Sequence, residues 1–381
     1  MTGVTRRARS ALRRESLMKT HKTSLALLGA VSAIALIGAG CAKKTDGAKT
    51  TGDTPAAAAQ TTKAGTADAD MQAVLDKLES LGGKPIETLS PEEARKQPSP
   101  TDAVKALMAQ KGLTPDMTVT TQDVTYPAGA GSQKARIYTP PGATGALPVV
   151  LYIHGGGWVI ADLDTYDSGP RALAKAANAI VVSIEYRHAP EAKFPAAHDD
   201  ANAAYKWVLA NAAQWGGDPK KVAVVGESAG GNMAVNVAIS ARDKGWQAPL
   251  AVVAVYPVAD SNMATGSKLA NTTTKPLNTK MLAWFFTHTL SNPAQALDPR
   301  LNLVGAKLNG LPPTTIIVAE IDPLHDDGVN LADKLKAAGV TTELKEYAGV
   351  THEFFGMGAV VADAKDAEDY AAGKLKAAFG M

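Results

Sequence analysis

The chain has 381 residues, 45% of them hydrophobic and 20% charged, with 34 glycines and a formal net charge of +2. That balance describes an ordinary globular protein of one large or two small domains, and excludes a collagen-like or wholly disordered chain. Residues 1–40 hold five Arg and two Lys against one Glu, so the remainder is net acidic and has no basic stripe, which points away from nucleic acid.

Lys19 and Lys22 precede an apolar run over 25–37 that ends in Gly38-Ala39-Gly40-Cys41. A basic start, a short apolar core and small residues at its end describe a secretory signal over 1–40. The run is too short for a membrane span of about 20 residues. Met18 fits as the start, because the arginine-rich stretch before it adds nothing a signal requires; Arg13-Arg14 offers a twin-arginine alternative. Cys41 is the only cysteine, so no intrachain disulfide forms. Its setting resembles the lipobox of bacterial lipoproteins, in which the cysteine carries the lipid, although Gly38 stands where such boxes usually have Leu. The expectation is an exported lipoprotein, anchored to a membrane through Cys41 and facing the periplasm or cell exterior. A cleavage site that happens to contain a cysteine is the alternative.

Ala, Thr, Gly and Lys dominate 41–68; so few large apolar residues cannot offset the entropy of ordering, and a disordered tether is expected. Met71, Val74, Leu75 and Leu78 share a helical face, and a second helix is expected over 101–110, after the breakers Pro98 and Pro100. These helices place an N-terminal cap in 69–115. From 116 to 381 strand and helix signals alternate. Segments 118–124 and 133–138 read as an antiparallel start. Val- and Ile-rich runs at 147–153, 180–184, 222–225, 250–255 and 314–319 read as strands buried on both faces, and 341–347 as a further strand. Helical stretches near 171–178, 200–213, 232–243 and 329–338 lie between them. This alternation predicts an α/β fold with a mostly parallel central sheet and helices on both faces. Residues 261–310 break the rhythm with the cluster Met281, Leu282, Trp284, Phe285 and Phe286. An insertion of this length is expected to serve as a lid; a packing excursion of the core is the alternative.

His154-Gly155-Gly156-Gly157-Trp158 follows the strand at 147–153. Consecutive glycines let backbone N–H groups turn toward a developing oxyanion. Gly155 and Gly156, with Ala229, are the expected donors; a plain glycine-rich turn is the alternative. Gly226-Glu227-Ser228-Ala229-Gly230 sits between a strand and a helix. By composition this G-x-S-x-G pattern arises by chance in about one chain in ten, so its strand–turn–helix context, which lifts Ser Oγ clear of the sheet, carries the specificity. A serine needs a base to take its proton, and in such folds the acid and then the histidine follow the serine. Only His288, His325 and His352 follow Ser228; His352, beyond the strand at 341–347, is the expected base. Asp322, at the carboxyl end of the strand at 314–319, is the expected acid, with Asp326, Asp327 and Glu320 as rivals. There is no phosphate-binding G-x-x-x-x-G-K-[ST] loop and no paired Cys/His spacing, so no nucleotide, metal or other cofactor is expected.

From about Asp70 to its end the chain resembles the bacterial hormone-sensitive-lipase-like esterases of the α/β-hydrolase superfamily. The resemblance rests on His154–Trp158, Tyr186-Arg187-His188-Ala189-Pro190-Glu191, Phe194-Pro195-Ala196-Ala197, Gly226–Gly231, Tyr256-Pro257, Leu311-Pro312-Pro313, Asp322-Pro323-Leu324 and His352. Leu89–Arg95 is similar to that family's N-terminal cap segment. The resemblance implies an α/β-hydrolase fold, a Ser228–Asp322–His352 triad and an oxyanion hole in the glycines after His154. Three residues depart from the family pattern: Glu227 where Asp is commoner, His188 where Leu is usual, and Glu353 where Gly often follows the histidine.

The expected function is a serine carboxylesterase acting on small-molecule esters of short to medium acyl chain through an acyl-enzyme. Trp158, Met281, Trp284, Phe285 and Phe286 are the expected pocket residues. A deacetylase or amidase would share the triad, and a non-catalytic binding protein on the same fold is the rival from another class. Nothing in the sequence speaks to the oligomeric state.

Overall fold

A run such as Leu147-Pro148-Val149-Val150-Leu151-Tyr152-Ile153 has no polar face, so a strand made from it must be covered on both sides. The computed structural model describes residues 65–381. The signal segment, Met18, Cys41 and the tether up to residue 64 lie outside the described residues. The elements are α1 (Ala69–Ser80), α2 (Pro91–Ala94), α3 (Pro100–Gln110), β1 (Thr120–Ala128), β2 (Gly131–Thr139), β3 (Leu147–Ile153), α4 (Ser168–Ala177), β4 (Ile180–Ile184), α5 (Ala196–Asn211), β5 (Gly217–Glu227), α6 (Ala229–Lys244), β6 (Val252–Val255), α7 (Gly266–Ala270), α8 (Thr279–Thr289), β7 (Thr314–Ile321), α9 (His325–Ala337), β8 (Thr342–Thr351) and α10 (Ala362–Phe379).

The strands form one sheet in the order β1-β2-β4-β3-β5-β6-β7-β8. β1–β2 and β2–β4 pair antiparallel, and the remaining pairs are parallel. Side chains alternate across the sheet. Val149, Leu151 and Ile153 join one buried cluster with Ala201, Val208, Met233 and Leu331 of α5, α6 and α9. Val150 and Tyr152 join the other, with Leu173 of α4 and Ala371 and Leu375 of α10. Each fully buried Val or Leu contributes about 1.5–3 kcal/mol relative to an exposed one.

Several boundaries move. The hairpin is longer than expected because Ala128 and Gly131 pair across a two-residue turn that Gly129 enters at φ +55°. The strand expected at 250–255 begins at Val252, and β8 continues to Thr351, which sets His352 at its carboxyl end. α10 has no counterpart in the sequence reading. Its buried face is Ala364, Ala367, Ala371, Ala372, Leu375 and Phe379, a helical spacing made mostly of alanine, which gives weak apolar contrast. α1 packs on the sheet side, where the Thr351 hydroxyl reaches Met71 Sδ. No helix among the described residues is long and apolar enough to cross a membrane.

Candidate active site

The carboxyl ends of β5, β7 and β8 bring Ser228, Asp322 and His352 together, as crossovers in a parallel sheet allow. Ser228 sits between β5 and α6 at φ 55°, ψ −117°, a conformation that costs about 1–3 kcal/mol. The chain can turn this sharply only because Gly226 and Gly230, two residues to either side, lack side chains. A Cβ on Gly226 would run into the Gly230 carbonyl, and one on Gly230 into that of Ile153. The turn is held by the Ser228 N–H donating to Val255 O at 2.9 Å.

Asp322 is fully buried; one oxygen accepts from Leu324 N at 2.7 Å and the other from His352 Nδ1 at 2.6 Å. With Nδ1 donating to Asp322, Nε2 is the acceptor, and Ser228 Oγ stands 3.0 Å from it. The Tyr256 ring covers the imidazole at 4.5 Å. Burial opposes charging of His352, but the Asp322 carboxylate and its hydrogen bond outweigh burial, helped by Glu353, so the imidazole pKa lies above its ordinary value.

The rival residues are engaged elsewhere. Asp326 accepts from Ser267 N and lies against His325. Asp327 forms a buried ion pair with Lys268 and accepts from Ala259 N and Asp260 N. Glu320 accepts from Gly349 N, and His288 lies against the Trp284 ring.

Ser228 and His352 open into a cavity of about 1190 Å³. Gly156 and Gly157 line it with Trp158, whereas Gly155 does not. Gly155 is packed beneath Tyr166 Oη and Ser228 Cβ, and its carbonyl accepts from Tyr186 Oη at 2.6 Å. Of the expected donors Gly156 lines the cavity and Gly155 does not, while Gly157, which was not among them, lines it too; both lining glycines have positive φ. Ala229 opens α6 beside Ser228, where the first-turn N–H groups of a helix lack intrahelical partners.

Met281, Phe285 and Phe286 of α8 line the cavity with Leu282 of the same cluster, and Leu277 and Val258, which the sequence reading did not single out, join them. Trp284 is a correction. One position along a helix turns a side chain by about 100°, and Trp284 faces the N-terminal segment instead, donating from Nε1 to Leu89 O at 3.0 Å. From that segment Ile86, Pro98, Pro100 and Thr101 reach the wall.

The structure adds acidic neighbours. Glu353, at φ +68°, accepts from Tyr166 Oη at 2.6 and 2.7 Å and lies 3.7 Å from His352 Nε2. Its departure from glycine was the one sequence signal; Tyr166 gave none. Glu227 is buried and accepts from Tyr256 Oη. Burial and the nearby Glu353 push its carboxyl well above the usual range, against the Tyr256 hydrogen bond. Among the described residues one group has metal-ligand composition and spacing: His154, Glu185 and His188.

Comparison with known proteins agrees with the fold. The family described as alpha/beta hydrolase fold matches residues 150–356. The carboxylesterase NlhH of Mycobacterium tuberculosis is 38% identical over 280 residues, covering 72% of this chain and 88% of that protein. The ethyl acetate hydrolase of Pseudomonas putida is 36% identical over 309 residues, covering 78% and 94%. A solved alpha/beta hydrolase from the metagenome of Lake Arreo, Spain, superposes with a TM-score of 0.75 at 34% identity, covering 83% of this chain and 99% of that one.

Proposed function

The chain belongs to the alpha/beta-hydrolase family that includes the hormone-sensitive-lipase-like esterases, and from that premise we propose how this ester hydrolase works. His352 Nε2 takes the proton of Ser228, whose Oγ attacks the ester carbonyl, while Asp322 holds the ring and stabilises its cation. The tetrahedral oxyanion lies against the N–H groups of Gly156, Gly157 and Ala229. His352 then protonates the leaving alcohol, and water, activated by the same imidazole, releases the acid from the acyl-enzyme. The observation that carries this reading is the continuous relay of Ser228 Oγ, His352 and Asp322 at 3.0 and 2.6 Å.

The test is Ser228→Ala assayed on a panel of esters, amides and acetylated sugars. Nucleophile loss in a serine hydrolase of this kind lowers turnover by about a millionfold. Turnover within tenfold of the parent, on folded protein, overturns the assignment. Higher specificity of the parent chain for amides or sugar acetates than for simple esters would select the deacetylase or amidase reading.

The preferred acyl groups have about two to eight carbons, a reading supported by the apolar side chains of Met281, Phe285 and Phe286, which line the cavity that holds Ser228. In the cell, the chain is exported and held to a membrane by a lipid on Cys41, a reading supported by the apolar run over 25–37 and the small residues before that cysteine. Cys41→Ser is expected to release the protein from the membrane fraction; unchanged fractionation and mass would rule this out.

A further inference from the structure

His154, Glu185 and His188 sit where the oxyanion loop leaves β3 and the chain leaves β4. One ligand atom from each lies within 4.8 Å of the other two. Glu185 Oε1 is 3.2 Å from His154 Nε2 and 3.3 Å from His188 Nε2. Ligands about 2.0–2.1 Å from a tetrahedral zinc ion lie about 3.3–3.4 Å from one another, so both separations match a tetrahedral edge.

The hydrogen bonding is compatible with an ion. Both ring nitrogens of His154 face acceptors: Nδ1 is 3.0 Å from Gly155 O, and Nε2 is 3.2 Å from Glu185 Oε1. A neutral imidazole carries one N–H and can serve only one of them. A metal ion between Nε2 and Glu185 removes the conflict and leaves Nδ1–H donating to a backbone carbonyl, the usual outer partner of a metal-bound histidine. His188 Nε2 is buried with no hydrogen-bond partner.

We propose that His154, Glu185 and His188 form a Zn²⁺ site whose fourth position is a water in the cavity. Glu185 and His188 line that cavity together with Ser228, so an ion can enter from it. Two imidazoles and one carboxylate suit zinc. Asp162 lines the same cavity and adds negative charge. The opposing charge, Arg95, is engaged by Glu191 and by the carbonyls of Val159 and Ala189. A bound ion fixes His154 and, through Gly155 O, the start of the loop that presents Gly156 and Gly157.

The experiment is calorimetric titration of the chelator-stripped full chain with zinc chloride, repeated on His188→Leu and Glu185→Gln, with circular dichroism confirming that each is folded. The expected result is a zinc ion bound by the parent chain and affinity at least tenfold weaker in both variants. Cobalt substitution is expected to give the visible absorption of a tetrahedral ion in the parent alone. No binding to the parent at about 100 µM zinc overturns the proposal. Equal affinity in parent and variants does so too, by placing the ion elsewhere, at Cys41 or beside Ser228 and His352.

Discussion

Replacing Lys268 by methionine removes a buried cation of similar length and leaves its partner behind. Lys268 and Asp327 are both buried and paired at 2.6 Å. The ammonium also donates to Asp260 O at 2.7 Å and Asn262 O at 3.0 Å, so the change strips three acceptors at once. Asp327 keeps the N–H groups of Ala259 and Asp260. Breaking one half of a buried pair costs about 3–5 kcal/mol, which for a domain of this size lowers the melting temperature by on the order of 5–8 °C. The loss depends on pH in a defined direction. Burial raises the Asp327 pKa to about 6, with Lys268 opposing that rise. A raised carboxyl favours the folded state fully below the unfolded pKa of about 3.9, and that contribution is lost as pH climbs through the folded pKa. Without Lys268 the folded pKa rises further, so the loss extends through neutral pH at about 1.4 kcal/mol per pH unit. Denaturant unfolding of parent and variant at pH 5 and pH 8 measures both quantities. A cost under about 1 kcal/mol at pH 8, or a gap that does not widen from pH 5 to 8, refutes the reasoning.

The elevated pKa of His352 places the acid limb of kcat/KM above the ordinary histidine range, because the ring must be neutral to accept the Ser228 proton. Glu353→Gln is expected to move that limb to lower pH, and an unmoved limb would show that Glu353 does not act on the base. Gly157→Ala puts a methyl into the Phe285 ring at φ +58°; kcat is expected to fall by about 10²–10³ with the chain still folded, the loss seen for a displaced oxyanion donor. Activity within threefold of the parent would remove Gly157 from that role. Trp284→Phe keeps an aromatic side chain but removes the hydrogen bond to Leu89 O and part of the ring volume, so it is expected to relax acyl-length selectivity without abolishing turnover. An ester series differing only in acyl length measures this, and an unchanged profile would detach the N-terminal segment from the roof.

The sequence by itself carried the sheet and pointed to Ser228 and His352, with Asp322 the expected acid among rivals. Its β-branched runs have no polar face and must be covered on both sides, and Gly226–Gly230 tolerates only a sharp turn. Those signals are local, so they can be read residue by residue. The choice of Asp322 over Asp326 and Asp327 was not local. All three stand within six residues, and packing gave Asp327 to Lys268 and Asp326 to Ser267. The same holds for the oxyanion loop, where only the burial of Gly155 under Tyr166 showed which glycines face the cavity. Trp284 and Phe285 are adjacent and equally apolar, yet helix geometry turns one to Leu89 and the other to the cavity. His154 meets Glu185 and His188 across 31 residues or more because β3 and β4 are parallel neighbours in register. No motif spacing encodes that meeting; it exists only once the sheet has formed.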